Sequence, residues 1–190
     1  YAESRGGRQL FDVAAEMIRP YLSQDELAEI EGIAQGSGRT VEDILLLNVF
    51  FDAAAVLAGR EGHPVPLQGA SMAVDNMAMY TNQPIVVGTF ETEIVGVQTR
   101  PETIVFVYHP SVGKPYIAVS YPGMIGTYAG MNLDGVAVLA KAVPGPLGLN
   151  PTAPFGILCR RLLARTDTAE VAAQHVLEAD IATSHNLTLA

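Results

Sequence analysis

The 190-residue chain is 49% hydrophobic and 16% charged, a balance that supports one globular core and excludes a disordered polypeptide. The formal net charge is −9 and no basic run breaks it, so nucleic acid and anionic membrane surfaces are not expected partners. A single cysteine, Cys159, rules out an internal disulfide and a cysteine-rich metal centre. No apolar run approaches the roughly 20 residues of a membrane-spanning helix.

The first third is acidic and helical. Leu10, Phe11, Ala14, Ala15 and Ile18 recur at helical spacing within Arg8–Arg19, and Pro20 ends the segment. Ser23-Gln-Asp-Glu26 has the form of a capping box. It opens a helix expected to run through Ile33, with Gln35-Gly-Ser-Gly38 as the stop. Thr40-Val-Glu-Asp43 starts a third, strongly apolar helix through about Leu57. A Gly/Pro-rich loop, Gly59 to Pro66, follows and carries His63, to which no neighbouring residue gives a catalytic setting.

The remainder is rich in β signals. Ser71–Met79 and Ile85–Phe90 flank the turn Asn82-Gln-Pro84 and suggest a hairpin. Thr103–Tyr108 and Tyr116–Ser120 flank His109–Lys114 and suggest a second. Tyr121-Pro-Gly123 and Ile125–Tyr128 continue the stretch. Gly130–Gly135 is expected to be a turn between strands, because Asn132 and its glycines tolerate positive φ, and Val136–Val143 a buried strand. After the loop Pro144–Pro154, Phe155–Arg165 reads as a helix. Asp167-Thr-Ala-Glu170 caps another helix to Leu177 or beyond, and Thr183–Leu189 returns to strand. This order predicts an α+β layered domain rather than a βαβ repeat.

Most single residues have structural explanations. Cys159 is expected to be a buried, inert thiol within its helix. His109, His175 and His185 lack metal-ligand spacing. Gly123, Gly126 and Gly130 lack phosphate-loop spacing, so no nucleotide site is expected. Met72, Met77 and Met79 suit either an adaptable pocket or the core.

The helical and β-rich parts meet at Gln68-Gly69-Ala70-Ser71. A Gly followed by a small residue that opens a strand is the layout of an N-terminal-nucleophile (Ntn) hydrolase. There the residue behind the cut is nucleophile and, through its freed α-amine, its own base. Several stretches extend that likeness along the chain. They are Ala28–Gly38, Val41–Asn48, Tyr121–Gly126, Gly130–Val138, Phe155–Leu163 and Ser184-His-Asn186-Leu-Thr-Leu-Ala190. In order and in content they resemble the penicillin acyltransferase-like family, relatives of acyl-CoA:6-aminopenicillanate acyltransferase, also called the C45 peptidases.

The resemblance implies a four-layer αββα Ntn-hydrolase sandwich, incomplete at its C-terminus. It implies a helical pro-segment, 1–69, and the first part of the β-chain, 70–190, with the C-terminal remainder of the chain as a partner. The strand-like ending at Ala190 agrees with that expectation. The implied activity is hydrolysis of, or acyl transfer to, an amide after self-cleavage at Gly69-Ala70. Its partners would be a small-molecule amide or an acyl donor such as a coenzyme A thioester, with no metal or organic cofactor. An oligomer and a cytoplasmic location are compatible with it.

Carried over residue by residue, the nucleophile falls on Ala70, or on Gly69 in a gap-free register through Pro84 and Ile85. Neither is Cys. The carboxylate that orients the amine falls on Thr92 or Glu91. An oxyanion Asn falls near Lys141, while Asn186 and Asn132 match family asparagines. Three explanations of the missing thiol stay open. They are an Ala in place of Cys in an inactivated precursor, a naturally non-catalytic binding or partner subunit, and Ser71 as a displaced nucleophile.

Overall fold

The computed structural model describes residues 7–61, 69, 71–74, 85–89, 102–143 and 148–190. Three helices come first: α1 (Gly7–Ile18), α2 (Gln24–Ser37) and α3 (Val41–Glu61). A short 3-10 turn at Arg19–Tyr21, with Pro20 inside it, separates α1 from α2. The capping box forms as its residues dictate. The Ser23 hydroxyl accepts from the Glu26 amide at 3.2 Å, and the Glu26 carboxylate accepts from the Ser23 amide at 2.8 Å. The α2 helix passes the expected end at Ile33 and closes on Gly38, whose φ of 67° is the left-handed cap that glycine adopts without strain. The α3 helix likewise runs beyond Leu57 and absorbs Gly59. Burial of Val56 and Ala58 offsets the roughly 1 kcal/mol that a helical glycine costs.

Two antiparallel sheets follow. One pairs β1 (Ser71–Val74) with β2 (Ile85–Gly88). The other has five strands in the order β3 (Ile104–Tyr108), β4 (Tyr116–Ser120), β5 (Ala129–Asn132), β6 (Ala137–Ala142) and β7 (His185–Leu189). Helices α4 (Phe155–Arg165) and α5 (Ala169–Glu178) connect β6 to β7. The mixed α+β class is therefore as the sequence predicts. Thr168, rather than Asp167, caps α5, accepting from the Val171 amide. Met77, Met79, His63 and the turn at Asn82 lie outside the described residues.

The expected turn at Gly130–Gly135 is narrower than its sequence suggests. Gly130 to Asn132 belong to β5, and only Leu133 to Val136 turn, with Gly135 at φ 89°. Asn132 governs this geometry. Its side-chain oxygen accepts from the amides of Asp134 and Val136, at 3.1 and 3.0 Å. Its amide nitrogen donates to the carbonyls of Leu163 and Thr166, at 3.0 and 2.8 Å, and so closes the end of α4. All four hydrogen-bonding capacities are engaged in holding turn to helix, so Asn132 is structural.

Strand register sorts the five-stranded sheet into two faces, because directly opposed residues point the same way. Tyr116, Ala118, Val138, Ala140 and Ala142 face the helices, where they pack with Phe51 and Ala55 of α3 and with Phe155, Cys159, Leu162 and Leu163 of α4. Burying a side chain as large as Phe155 or Leu163 contributes about 1.5–3 kcal/mol. A second cluster joins Phe11, Ile18, Ile30, Leu45 and Val49 of the first three helices to Ile125 and Ile157. The opposite face presents Val105, Val107, Ile117, Val119 and Met131, all exposed. Over β6 and β7 that face is covered by the β1–β2 hairpin: a methyl on Gly88 would stand 2.8 Å from Leu139, and Ser71 touches Thr188. The layers are helices, a five-stranded sheet and a two-stranded sheet.

Candidate functional site

The junction singled out by the sequence lies where the small sheet meets the large one. Gly69 has φ 142°, and a Cβ built on it would run into the Thr89 carbonyl oxygen and stand 2.8 Å from the Lys141 Nζ. No L side chain fits there, which removes position 69 as the place for a nucleophilic side chain. Ser71, the first residue of β1, is held by Thr188, with the two hydroxyl oxygens 2.7 Å apart. Lys141 is buried in β6, and its ammonium donates to the Thr89 carbonyl. Asn186 lies directly across from Lys141 in the β6–β7 ladder, on the same face, and is exposed.

Gly69, Ser71, Thr89, Lys141, Asn186 and Thr188 thus gather at one end of the sheet–sheet contact. Ala70, Glu91 and Thr92 lie outside the described residues. Chemically, the gathered residues offer three hydroxyls, a cation and an amide beside a backbone that must be glycine. Thr89 and Thr188 were invisible to sequence reasoning, because only the register of β7 and the docking of the hairpin bring them in. A cavity of about 220 Å³ runs along β2 toward the opposite end of β6, lined by Val86, Gly88, Met131, Val138, Leu139 and Ala190, and by none of the gathered residues.

A second polar cluster is buried on the helix side of the same sheet. Asp52 of α3 is fully enclosed. Its carboxylate accepts from the Thr183 hydroxyl at 2.7 Å, the Phe155 amide at 3.3 Å and the Tyr128 hydroxyl at 3.4 Å. His185, the first residue of β7, stacks on Phe155 with ring centroids 3.9 Å apart, and its Nδ1 lies 3.2 Å from the Thr183 carbonyl oxygen. Burial raises the Asp52 carboxyl above its ordinary value, against the pull of His185 and the three donors. Burial depresses the His185 imidazole, against Asp52 and the Thr183 carbonyl. The signal for this cluster was present in sequence: a lone carboxylate within Val49-Phe-Phe-Asp-Ala-Ala-Ala55, an otherwise apolar helical run.

The remaining candidates settle simply. Cys159 is buried, and burial pushes its thiol pKa up, so it is a core residue. No group of three metal-ligating side chains occurs among the described residues. Asn48, within a stretch that carries the family likeness, ties α3 to the 123–126 segment. Its oxygen accepts from the Ile125 amide at 2.8 Å, and its nitrogen donates to the Gly123 carbonyl at 3.1 Å. No protein-family model matches the chain, and no curated protein matches it significantly.

Proposed function

We propose that the chain carries the architecture of an Ntn-type amide hydrolase or N-acyltransferase in uncut form, with the nucleophile position, Ala70, left without a reactive atom. The β1–β2 hairpin is then the start of the second sheet of an αββα sandwich. What supports this is the placement of the Gly69–Ser71 junction against the ends of β6 and β7, beside Asn186. A thiol restored at 70 would add to the Gly69 carbonyl carbon, its proton passing to the departing α-amine of residue 70 as the peptide C–N bond breaks. Water would then hydrolyse the thioester, leaving a Gly69 carboxylate and a free thiol beside a free amine. In turnover, that amine would accept the thiol proton during attack on an external amide. A backbone amide with Asn186 would stabilise the oxyanion. Ser71 is the less suitable nucleophile, since its hydroxyl is engaged with Thr188 and no described residue acts on it as a base.

A second reading has its own observation. Lys141 places a cation beside the junction, where the family likeness implies an asparagine donor. A naturally non-catalytic relative that binds a small ligand or partner accommodates that substitution without difficulty. Ala70→Cys separates the two. Under the first, intact-mass measurement finds two chains parted between residues 69 and 70. A folded Ala70→Cys chain that stays whole, with no new amine terminus, sinks the first and leaves the second.

A further inference from the structure

We propose that Asp52, Thr183 and His185 form an acid-sensitive latch that fastens helix α3 to strand β7, and that one further proton opens it. The geometry is that of a closed relay. The Thr183 hydroxyl donates to Asp52, so the hydrogen on His185 Nδ1 points to the Thr183 carbonyl, which can only accept. Nδ1 therefore carries the imidazole proton and Nε2 is a bare lone pair. Nε2 is buried and has no hydrogen-bond partner among the described residues.

The imidazole has no place for another proton. On Nε2, it would create a charged N–H donor enclosed without an acceptor, which is costly to bury. Among the described residues none supplies an acceptor to Nε2. Asp52 comes from α3, Tyr128 from the segment before β5, Phe155 from α4 and Ala142 from β6. Cys159 of α4 carries a thiol held protonated by burial and sits by Asp52 and Tyr128.

The sign follows from the direction of each shift. The imidazole is depressed when folded, so its contribution is present above the ordinary imidazole value and is lost as pH falls through the folded one. Asp52 has the opposite sign: its raised carboxyl costs stability as pH rises, and the cost is relieved in acid. Acid therefore opens the latch through the imidazole alone, and proton uptake at Asp52 works against that opening. The consequence reaches the open face, because β7 carries His185 on its helix side and Asn186 and Thr188 on the side of the junction. Opening the latch would loosen the strand that holds Ser71. This holds whether or not the junction is ever cut.

Hydrogen exchange on the unmodified chain, corrected for intrinsic rates and followed from about pH 7.5 to 5, tests the latch. Protection of β7 amides and of α3 amides near Asp52 should fall by up to about tenfold per pH unit between the ordinary imidazole value and the depressed one of the closed latch, as for a one-proton opening. Strands β3 and β4 should keep theirs. His185→Phe retains the stack on Phe155 and cannot titrate, so its profile should be flat. Equal steepness in His185→Phe, or no pH dependence in the unmodified chain, overturns the proposal. The imidazole ring signals of the unmodified chain give a measurement that needs no variant. Protonation of the folded imidazole below its ordinary value, where the fall in β7 protection levels off, is expected; protonation at the ordinary value, or with protection unchanged above it, overturns the latch.

Discussion

The two faces of the five-stranded sheet are built from similar residues and behave as opposites. On the helix side, Val138 and Ala140 are fully buried and the Asp52 carboxylate has three donors, while among the described residues the buried His185 Nε2 and Tyr116 hydroxyl have no hydrogen-bond partner. On the other side, Val105 and Val107 are more than half exposed, and among the described residues only the β1–β2 hairpin covers β6 and β7. Valine is equally at home in a strand in either setting. The lesson is that identity sets the propensity to be a strand, while what packs above a strand decides its energetic weight.

The comparison breaks most sharply at Asp52. Asp52→Ala removes the common acceptor of three buried donors and should cost about 3–5 kcal/mol in urea unfolding. Asp52→Asn keeps the shape and should cost clearly less. A matched pair sharpens the contrast between faces. Val138→Thr buries a hydroxyl and should cost about 1–3 kcal/mol, whereas Val107→Thr on the open face should stay within about 0.5 kcal/mol. If the two valines cost the same, the open face is covered in solution.

Smaller effects are expected at the edges of the two regions. Gly69→Ala places a methyl against the Thr89 carbonyl at a φ that alanine resists, and should cost about 1–2 kcal/mol, read as a fall of a few degrees in Tm. The smallest effect concerns Glu26, which Arg161 grips at 2.8 and 2.6 Å, linking α2 to α4. Burial pushes the Glu26 carboxyl up, but Arg161 and the Ser23 amide outweigh it, so the net shift is downward. A depressed carboxyl stabilises above its unfolded value and loses that contribution as pH falls. Glu26→Gln should therefore lower Tm slightly at neutral pH and flatten its decline below about pH 4.5.

Local rules made much of the fold legible. Ser23 and Glu26 announce α2, Gly38 ends it, and Phe155–Arg165 matches α4 residue for residue. Turn chemistry was harder to place. Asn132 was expected in a turn and instead ends a strand, because its side chain reaches across to α4 for partners 31 and 34 residues away. The candidate site was legible only along the chain. Gly69 and Ser71 stood out as a junction, whereas Lys141, Thr188 and Thr89 join it by sheet register and docking. His185 entered the sequence reading only as a histidine without metal-ligand spacing and as a member of the Ser184–Ala190 stretch, since stacking and burial have no sequence spacing.

Composition and pattern alone determined that this chain forms one acidic α+β body, where most helices begin, and that residues 69–71 divide a helical part from a β-rich part. Those features depend on neighbours within a turn or two. Tertiary structure alone decided which face of the sheet is dry, that residue 69 has no room for a side chain, and that Asp52 and His185 share one enclosed network. Each of these depends on groups brought together from distant parts of the chain, and their energies exist only once water has been excluded between them.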